Sequence, residues 1–379
     1  MLSLGMGRNA RYLLFDLRRV GAFDLCRIES VGTIARIQSE AGRRPQVMAI
    51  SGTRAKQLKL LLNLVVLAVV SWGIYRTVHF AWADLDAKGA SGFAWQLHPG
   101  WLIVSGLLYL LGMLPMAAFW YLLLQALGQR AKIRDTLRAF YIGTLGKYVP
   151  GKALVVVLRT SLLRDVKIGS TVTAVSVFLE TLTMMAVGAS LSILMMVFWL
   201  RDHLRDHPYL LPLAVALLIL SGLPTLPPIF RYLVVRLGTE RLDPEIKERL
   251  ARLRPPLILS GWVMVSLGWV LLAYSLWAVL LGLGITGIDA ITHLPYFLAA
   301  VSMAIVAGFL SMIPGGAGVR EFLISVLLGH FYFAEVLHLP LPDATALGVA
   351  VVLRLVWLVA ELILAFIFLP FGRRPRIGK

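Results

Sequence analysis

The chain is short of three things that most soluble proteins use freely. Charged residues fill only 15% of its 379 positions, against about 25% in an ordinary soluble domain. Acidic residues are scarcer still, 20 against 37 Lys and Arg, which leaves a net charge of +17. Cysteine occurs once, at Cys26. A single thiol excludes an intramolecular disulfide and a cysteine-built metal site, so Cys26 reads as an ordinary residue of an N-terminal arm. No HExxH pair and no glycine-rich nucleotide loop is present. That removes the common signatures of metalloproteases and nucleotide-driven pumps. No metal ligand set and no cofactor is expected. The positive charge comes without a recognisable nucleic-acid reading module, so nucleic acid is not the expected partner.

Apolar sequence is what the chain has instead. Hydrophobic residues make up 59% of it, and they come in runs near 58–82, 99–127, 170–200, 209–230, 257–283, 294–313, 319–334 and 344–370. About 20 helical residues cross a bilayer core, and runs of this length are transmembrane candidates. The first run begins too far into the chain for a signal peptide. Residues 1–57 form a basic arm, either an amphipathic helix on an anionic membrane face or an unstructured extension. The division expected is arm 1–57, membrane domain 58–370 and basic tail 371–379.

The connections set an orientation. Loop 128–138 carries Arg130, Lys132, Arg134 and Arg138, and loop 231–256 is equally basic. The tail carries Arg373, Arg374, Arg376 and Lys379. Excess Lys and Arg mark cytoplasmic loops. Both termini are therefore expected in the cytoplasm, in a multi-pass protein of the cytoplasmic membrane. Loops 83–98 and 284–293 carry almost no Lys or Arg and belong outside.

Segment 136–163 breaks the pattern. It is moderately apolar but interrupted by Lys147, Pro150, Gly151, Lys152 and Arg159. Its arms on either side of Pro150 are each too short for a crossing. It must also begin and end on the basic side, so it reads as a hairpin that enters and returns. A second broken pair, 294–334, holds Pro314, Gly315 and Gly316, followed by Arg320 and Glu321. The expected fold is all-α: a polytopic transmembrane helical bundle of about six full spans plus two broken or re-entrant hairpins. The hairpins open from opposite sides, the pattern of an inverted repeat with a site near the midplane.

Proline ends a helix because it lacks an N–H and clashes with the preceding turn. A half-helix restarting after it presents N–H groups without partners, and such ends attract anions. Lys147, Lys152 and Arg320 lie beside the two breaks, which points to a phosphate-bearing headgroup. The alternative is a pair of structural kinks with basic residues reaching for the interface. Glu180, Arg354 and Glu361 lie deep in apolar runs, where charged residues usually face the bundle interior and pair. Arg354 and Glu361 share a helix face seven residues apart. Arg159 reads as the cytoplasmic end of its hairpin.

Two motifs carry a resemblance: Gly146-Lys147-Tyr148-Val149-Pro150-Gly151-Lys152, and Pro314-Gly315-Gly316-Ala317-Gly318-Val319-Arg320-Glu321. The chain resembles the lysylphosphatidylglycerol synthase transmembrane-region family of flippase-like membrane proteins, over about 58–370. Glu180 and Arg354 add weaker matches. The family often shows Glu-Arg and then an aspartate where this chain has Glu180, Thr181 and Thr183. The resemblance implies substrate-binding roles for Lys147, Pro150, Gly151, Lys152, Pro314, Gly315, Gly316, Arg320 and Glu321. It implies a lipid-translocating protein without the soluble aminoacyl transferase domain of some members. The expected function is a flippase or transporter for an anionic-headgroup lipid, phospholipid or polyprenyl phosphate, and not an enzyme. Its partners are membrane lipids. Alternatives are an accessory subunit of a lipid or envelope pathway, working with biosynthetic partner proteins, or a membrane glycosyltransferase using Asp84 and Asp86. His203 and His207, four apart, read as a solvated loop.

Overall fold

The computed structural model describes residues 97–148, 153–164, 168–199, 208–237, 248, 250, 253, 255–311, 313–316 and 318–368. The basic arm, the expected span 58–82, Pro150, Gly151, Lys152, the His203–His207 segment and the basic tail lie outside these residues, as do Asp84 and Asp86. All regular structure among the described residues is helical. Four helices are long and apolar enough to cross a membrane: α1 (Pro99–Ala126), α4 (Ser170–Phe198), α7 (Pro255–Gly282) and α10 (Pro342–Phe368). They match four of the runs to within two or three residues.

Helix α1 shows why a membrane is the environment. Ile103, Leu107, Leu111 and Leu114 are exposed along one face. Tyr109, Met113, Met116 and Trp120 are buried along the opposite face. Both sets recur at helical spacing. In water the outer stripe would be charged; here it is leucine and isoleucine, which suits lipid. Helix α1 packs along α7, with Gly112 and Gly268 at the closest approach and Ser105 Oγ 2.8 Å from Ser275 Oγ. Small residues let membrane helices draw close, and a hydroxyl pair replaces the hydrogen bonds that lipid cannot give.

The run 209–230 is not one straight crossing. It folds as α5 (Leu210–Gly222), a 3-10 turn (Leu223–Thr225) and α6 (Pro227–Leu237). Pro224, Pro227 and Pro228 account for the division, because each removes a donor from the ladder. Helix α6 then runs on past the apolar stretch to Arg236.

Between the long helices sit two broken pairs. The first is α2 (Ile133–Thr144), a 3-10 turn (Leu145–Tyr148) and α3 (Ala153–Arg164). Helices α2 and α3 pack against each other. At 12 residues each, they are about 18 Å long, well short of the roughly 30 Å of a bilayer core. The hairpin shape expected for 136–163 is the shape found. The second pair is α8 (Leu294–Leu310), a 3-10 turn (Pro314–Gly316) and α9 (Val319–Ile324), which continues as a π-helix over Ser325–Ala334. Helix α8 packs on α9 and on the π-helix, and α10 covers both. The turn 145–148 touches the turn 314–316, so the two breaks meet inside the bundle.

Candidate functional site

The second break is a backbone made by glycine. Gly315 and Gly316 have φ of +59° and +67°, a region that side chains with a Cβ resist. A Cβ on Gly315 would lie 2.6 Å from Arg354 Nη2 and 3.4 Å from the Tyr148 ring. The absent side chain is therefore what lets the breaks and α10 converge.

Five charged groups collect where they do. Lys147, on the first break, donates from Nζ to Glu361 Oε1 on α10, and to the hydroxyl of Tyr109 on α1 at 3.2 Å. The Tyr109 hydroxyl donates in turn to the same Glu361 oxygen. Arg354, about two turns earlier on α10, donates to Glu321 Oε1 on α9. The other Glu321 oxygen accepts the Gly318 N–H at 2.7 Å. The N–H groups expected to be free after the second break are thus partly met by the protein's own carboxylate, a helix cap. Arg354 and Glu361 share a helix, as expected, but pair with other elements rather than with each other.

Arg320 is the remaining charge. Its side chain crosses the second break, with Cγ against Gly308 and Nε against Gly316. The Nε is buried without a hydrogen-bond partner, and no ion pair forms to Arg320 among the described residues. Lys147, Arg320 and Arg354 are near enough to repel one another. Counting Lys147, Arg320 and Arg354 against Glu321 and Glu361, three cations face two carboxylates, an excess of one positive charge. Arg320, Glu321, Arg354 and Trp357 line a small cleft of about 20 Å³, with apolar walls from Val301, Ala304 and Ile324.

Trp357 joins the cleft to the Lys147 cluster. It stacks on Tyr109 with ring centroids 4.7 Å apart and 18° between planes. Its indole N–H donates to Ser275 Oγ at 2.8 Å, and Ser275 is itself tied to Ser105. This polar chain fixes the aromatic wall between α1, α7 and α10. Tyr109 and Trp357 were invisible to a reading that followed charge, because each is an aromatic residue in an apolar run. Tyr148 alone had a signal, its place between Lys147 and the proline of the first motif.

A second buried charge pair lies apart from this cluster. Arg159 Nη1 on α3 donates to Glu180 Oε2 on α4 at 2.8 Å. Arg159 is 4% exposed and Glu180 2%. The guanidinium lies between the rings of Trp120 and Phe140, 4.7 and 4.3 Å from their centroids. Arg159, five residues before the end of α3, is thus a buried clasp. It joins α1, α2, α3 and α4, and its charge makes Glu180 a structural partner. Thr181, where the family pattern has an arginine, donates to the same Glu180 oxygen at 3.3 Å.

Of the sequence-predicted residues, Lys147, Gly315, Gly316, Arg320, Glu321, Arg354 and Glu361 come together around the two breaks, and Pro314 opens the second of them. Pro150, Gly151 and Lys152 lie outside the described residues. Among the described residues no group of three or more His, Cys, Asp or Glu is placed to hold a metal ion. His293 instead shares a hydrogen bond of 2.9 Å with Tyr332.

The sequence model of the family described as Lysylphosphatidylglycerol synthase TM region matches residues 60–365. No curated protein matches the chain.

Proposed function

Because the chain belongs to the lysylphosphatidylglycerol synthase transmembrane-region family, membrane proteins of lipid metabolism or transport, we propose that it moves an anionic-headgroup lipid across the bilayer without chemical change. The observation that carries this reading is Arg320. A guanidinium in an apolar interior costs several kcal/mol unless paired, and its Nε has no partner among the described residues. Phosphate is the anion that a guanidinium fork fits best. In this reading the headgroup phosphate engages Arg320 in the cleft. The acyl or prenyl tails stay outside in lipid, against the apolar faces of the bundle.

The proposed frame has six crossings and two re-entrant hairpins related as an inverted repeat, in the cytoplasmic membrane. Both termini are cytoplasmic. The short first hairpin and the meeting of the two breaks support it, as do the basic loops 128–138 and 231–256. Single cysteines in those loops, probed from each side, test the orientation.

The function is tested in proteoliposomes of the purified protein alone, by headgroup accessibility of labelled phospholipids and polyprenyl phosphates. Movement should fall about 10- to 100-fold in Arg320→Ala, since hydrogen bonds to charged groups contribute about 1.5–3 kcal/mol. Arg320→Lys should retain part of it. Unchanged movement in Arg320→Ala removes the headgroup site from the cleft.

A further inference from the structure

Three carboxylates are buried among the described residues, Glu180, Glu321 and Glu361, and they are held in different ways. Glu180 is clasped by Arg159 on rigid helix and covered by two rings. Glu321 has one oxygen on Arg354 and the other on the Gly318 N–H. Glu361 differs twice. Its cation, Lys147, comes from the 3-10 turn of the first break and not from a long helix. Both of its donors, Lys147 and Tyr109, use Oε1, and Oε2 is buried without a partner.

We infer that Glu361 is a proton-exchange site, taking up one proton when Lys147 leaves it and releasing that proton when Lys147 returns. The inference rests on the translocation reading above and adds to it that the two breaks part to pass a headgroup. Lys147 sits at the point where they meet. Parting them withdraws the one cation bonded to Glu361 among the described residues. A headgroup phosphate that reaches Lys147 competes for it in the same way. Glu361 itself stays on α10, 3% exposed. A carboxylate stranded in an apolar interior takes a proton rather than remain charged. The proton comes from the water that opens onto the site, and the carboxyl becomes neutral. When the breaks close behind the headgroup, Lys147 pairs only with the ionised form, so the proton leaves to the side opposite the one from which it came. One proton therefore exchanges for one lysine contact.

The groups that face Glu361 leave this intact. Helix α1 presents Tyr109, whose hydroxyl stays a donor. The first break presents Lys147 and Tyr148. Arg320 from α9 and Arg354 from its own helix add positive field. Arg354 is already committed to Glu321. Arg320 is committed to the ligand in the reading above. Neither reaches the unpartnered oxygen.

The test uses the full chain in proteoliposomes, with labelled phosphatidylglycerol as the probe and a pH difference of one unit across the membrane. A one-proton exchange biases movement by up to about tenfold per pH unit. Wild-type movement should follow the gradient, and Glu361→Gln should make it indifferent. Infrared difference spectra on acidification should show a protonated carboxyl band in the wild type that Glu361→Gln lacks. Should that variant fail to fold, Glu361→Asp serves, because the band must shift with the changed side chain. Movement that ignores the gradient, or a band unmoved in Glu361→Asp, overturns the proton site and leaves translocation standing. No movement under any gradient overturns both.

Discussion

Lys147 and Glu361 are bonded across 214 residues of sequence, and the bond joins an irregular turn to the last long helix. The lysine side chain is 21% exposed and the glutamate 2%. Removing the cation strands Glu361 in the interior beside the Tyr109 and Tyr148 phenols. Breaking a buried pair in this one-sided way costs about 3–5 kcal/mol. Lys147→Met should therefore lower the thermal unfolding midpoint in detergent sharply. Adding Glu361→Gln to it should recover most of the loss. A double variant as unstable as the single one would show that the pair's geometry, and not its charge balance, holds the turn.

Arg159 offers a separate check on packing. Its guanidinium is a flat cation between Trp120 and Phe140 as well as a partner for Glu180. Lysine keeps the charge but cannot stack, and its ammonium is more strongly hydrated. Arg159→Lys should cost about 1–2 kcal/mol, the scale of a desolvated cation–ring contact. Thermal unfolding measures it, and a lysine variant as stable as wild type refutes the ring contribution.

Two glycines should answer alanine with opposite signs. A Cβ on Gly146 would lie 2.5 Å from the Val155 backbone nitrogen, where no side chain can swing aside. Gly146→Ala should destabilise by about 1–3 kcal/mol, the usual cost of overpacking. Gly100, in the first turn of α1, meets nothing within 4 Å. Gly100→Ala should stabilise by about 0.5–1 kcal/mol through helix propensity. Unfolding midpoints of the two variants, compared in one detergent, give the signs.

Asp289 supplies a pH dependence outside the membrane helices. Its Oδ1 accepts the hydroxyl and N–H of Thr292 and the N–H of Ile291. These bonds, the Thr292 hydroxyl first, hold its carboxyl below the ordinary aspartate value. A depressed folded-state value means that the contribution is present above the unfolded aspartate range and fades as pH falls through the folded one. Proteolysis of the loop between α7 and α8 should therefore quicken only on the acid side. Asp289→Asn, which keeps an acceptor without titrating, should remove that dependence. A loop whose cutting rate tracks pH equally in Asp289→Asn would show that another group governs it.

The long helices were legible because their signal is bulk transfer from water. A leucine-rich apolar run from 99 to 126 needs no partner to be recognised. The first hairpin was legible by length and parity, since two 12-residue arms cannot cross and the basic ends must share a side. The division at Leu223–Thr225 was missed because hydropathy does not weigh what three prolines do to the ladder. Pairing was the least legible. Charge count and depth told that Arg159, Glu180, Arg354 and Glu361 would be satisfied inside. Which cation meets which carboxylate depends on contacts between elements, such as Lys147 with Glu361, that no local spacing encodes. Trp357 and Tyr109 carry no charge and so gave no sign of their place between the cleft and the Lys147 pair.

The helix that carries Arg320 is wound loosely just beyond it. From Ser325 to Ala334 the ladder is π, not α, so each turn there holds nearly an extra residue; such turns are rare and frequently occur at functional sites. Gly329 within it presses against Asp343 of α10. Deleting one residue between 325 and 334 would let the segment tighten into an α-helix of unchanged composition. Everything on its N-terminal side would then rotate by about 100° relative to α10, and Arg320 would swing away from the cleft. The aim of the guanidinium is thus set by a count of residues, a kind of information that no side-chain substitution within the π-helix can rewrite.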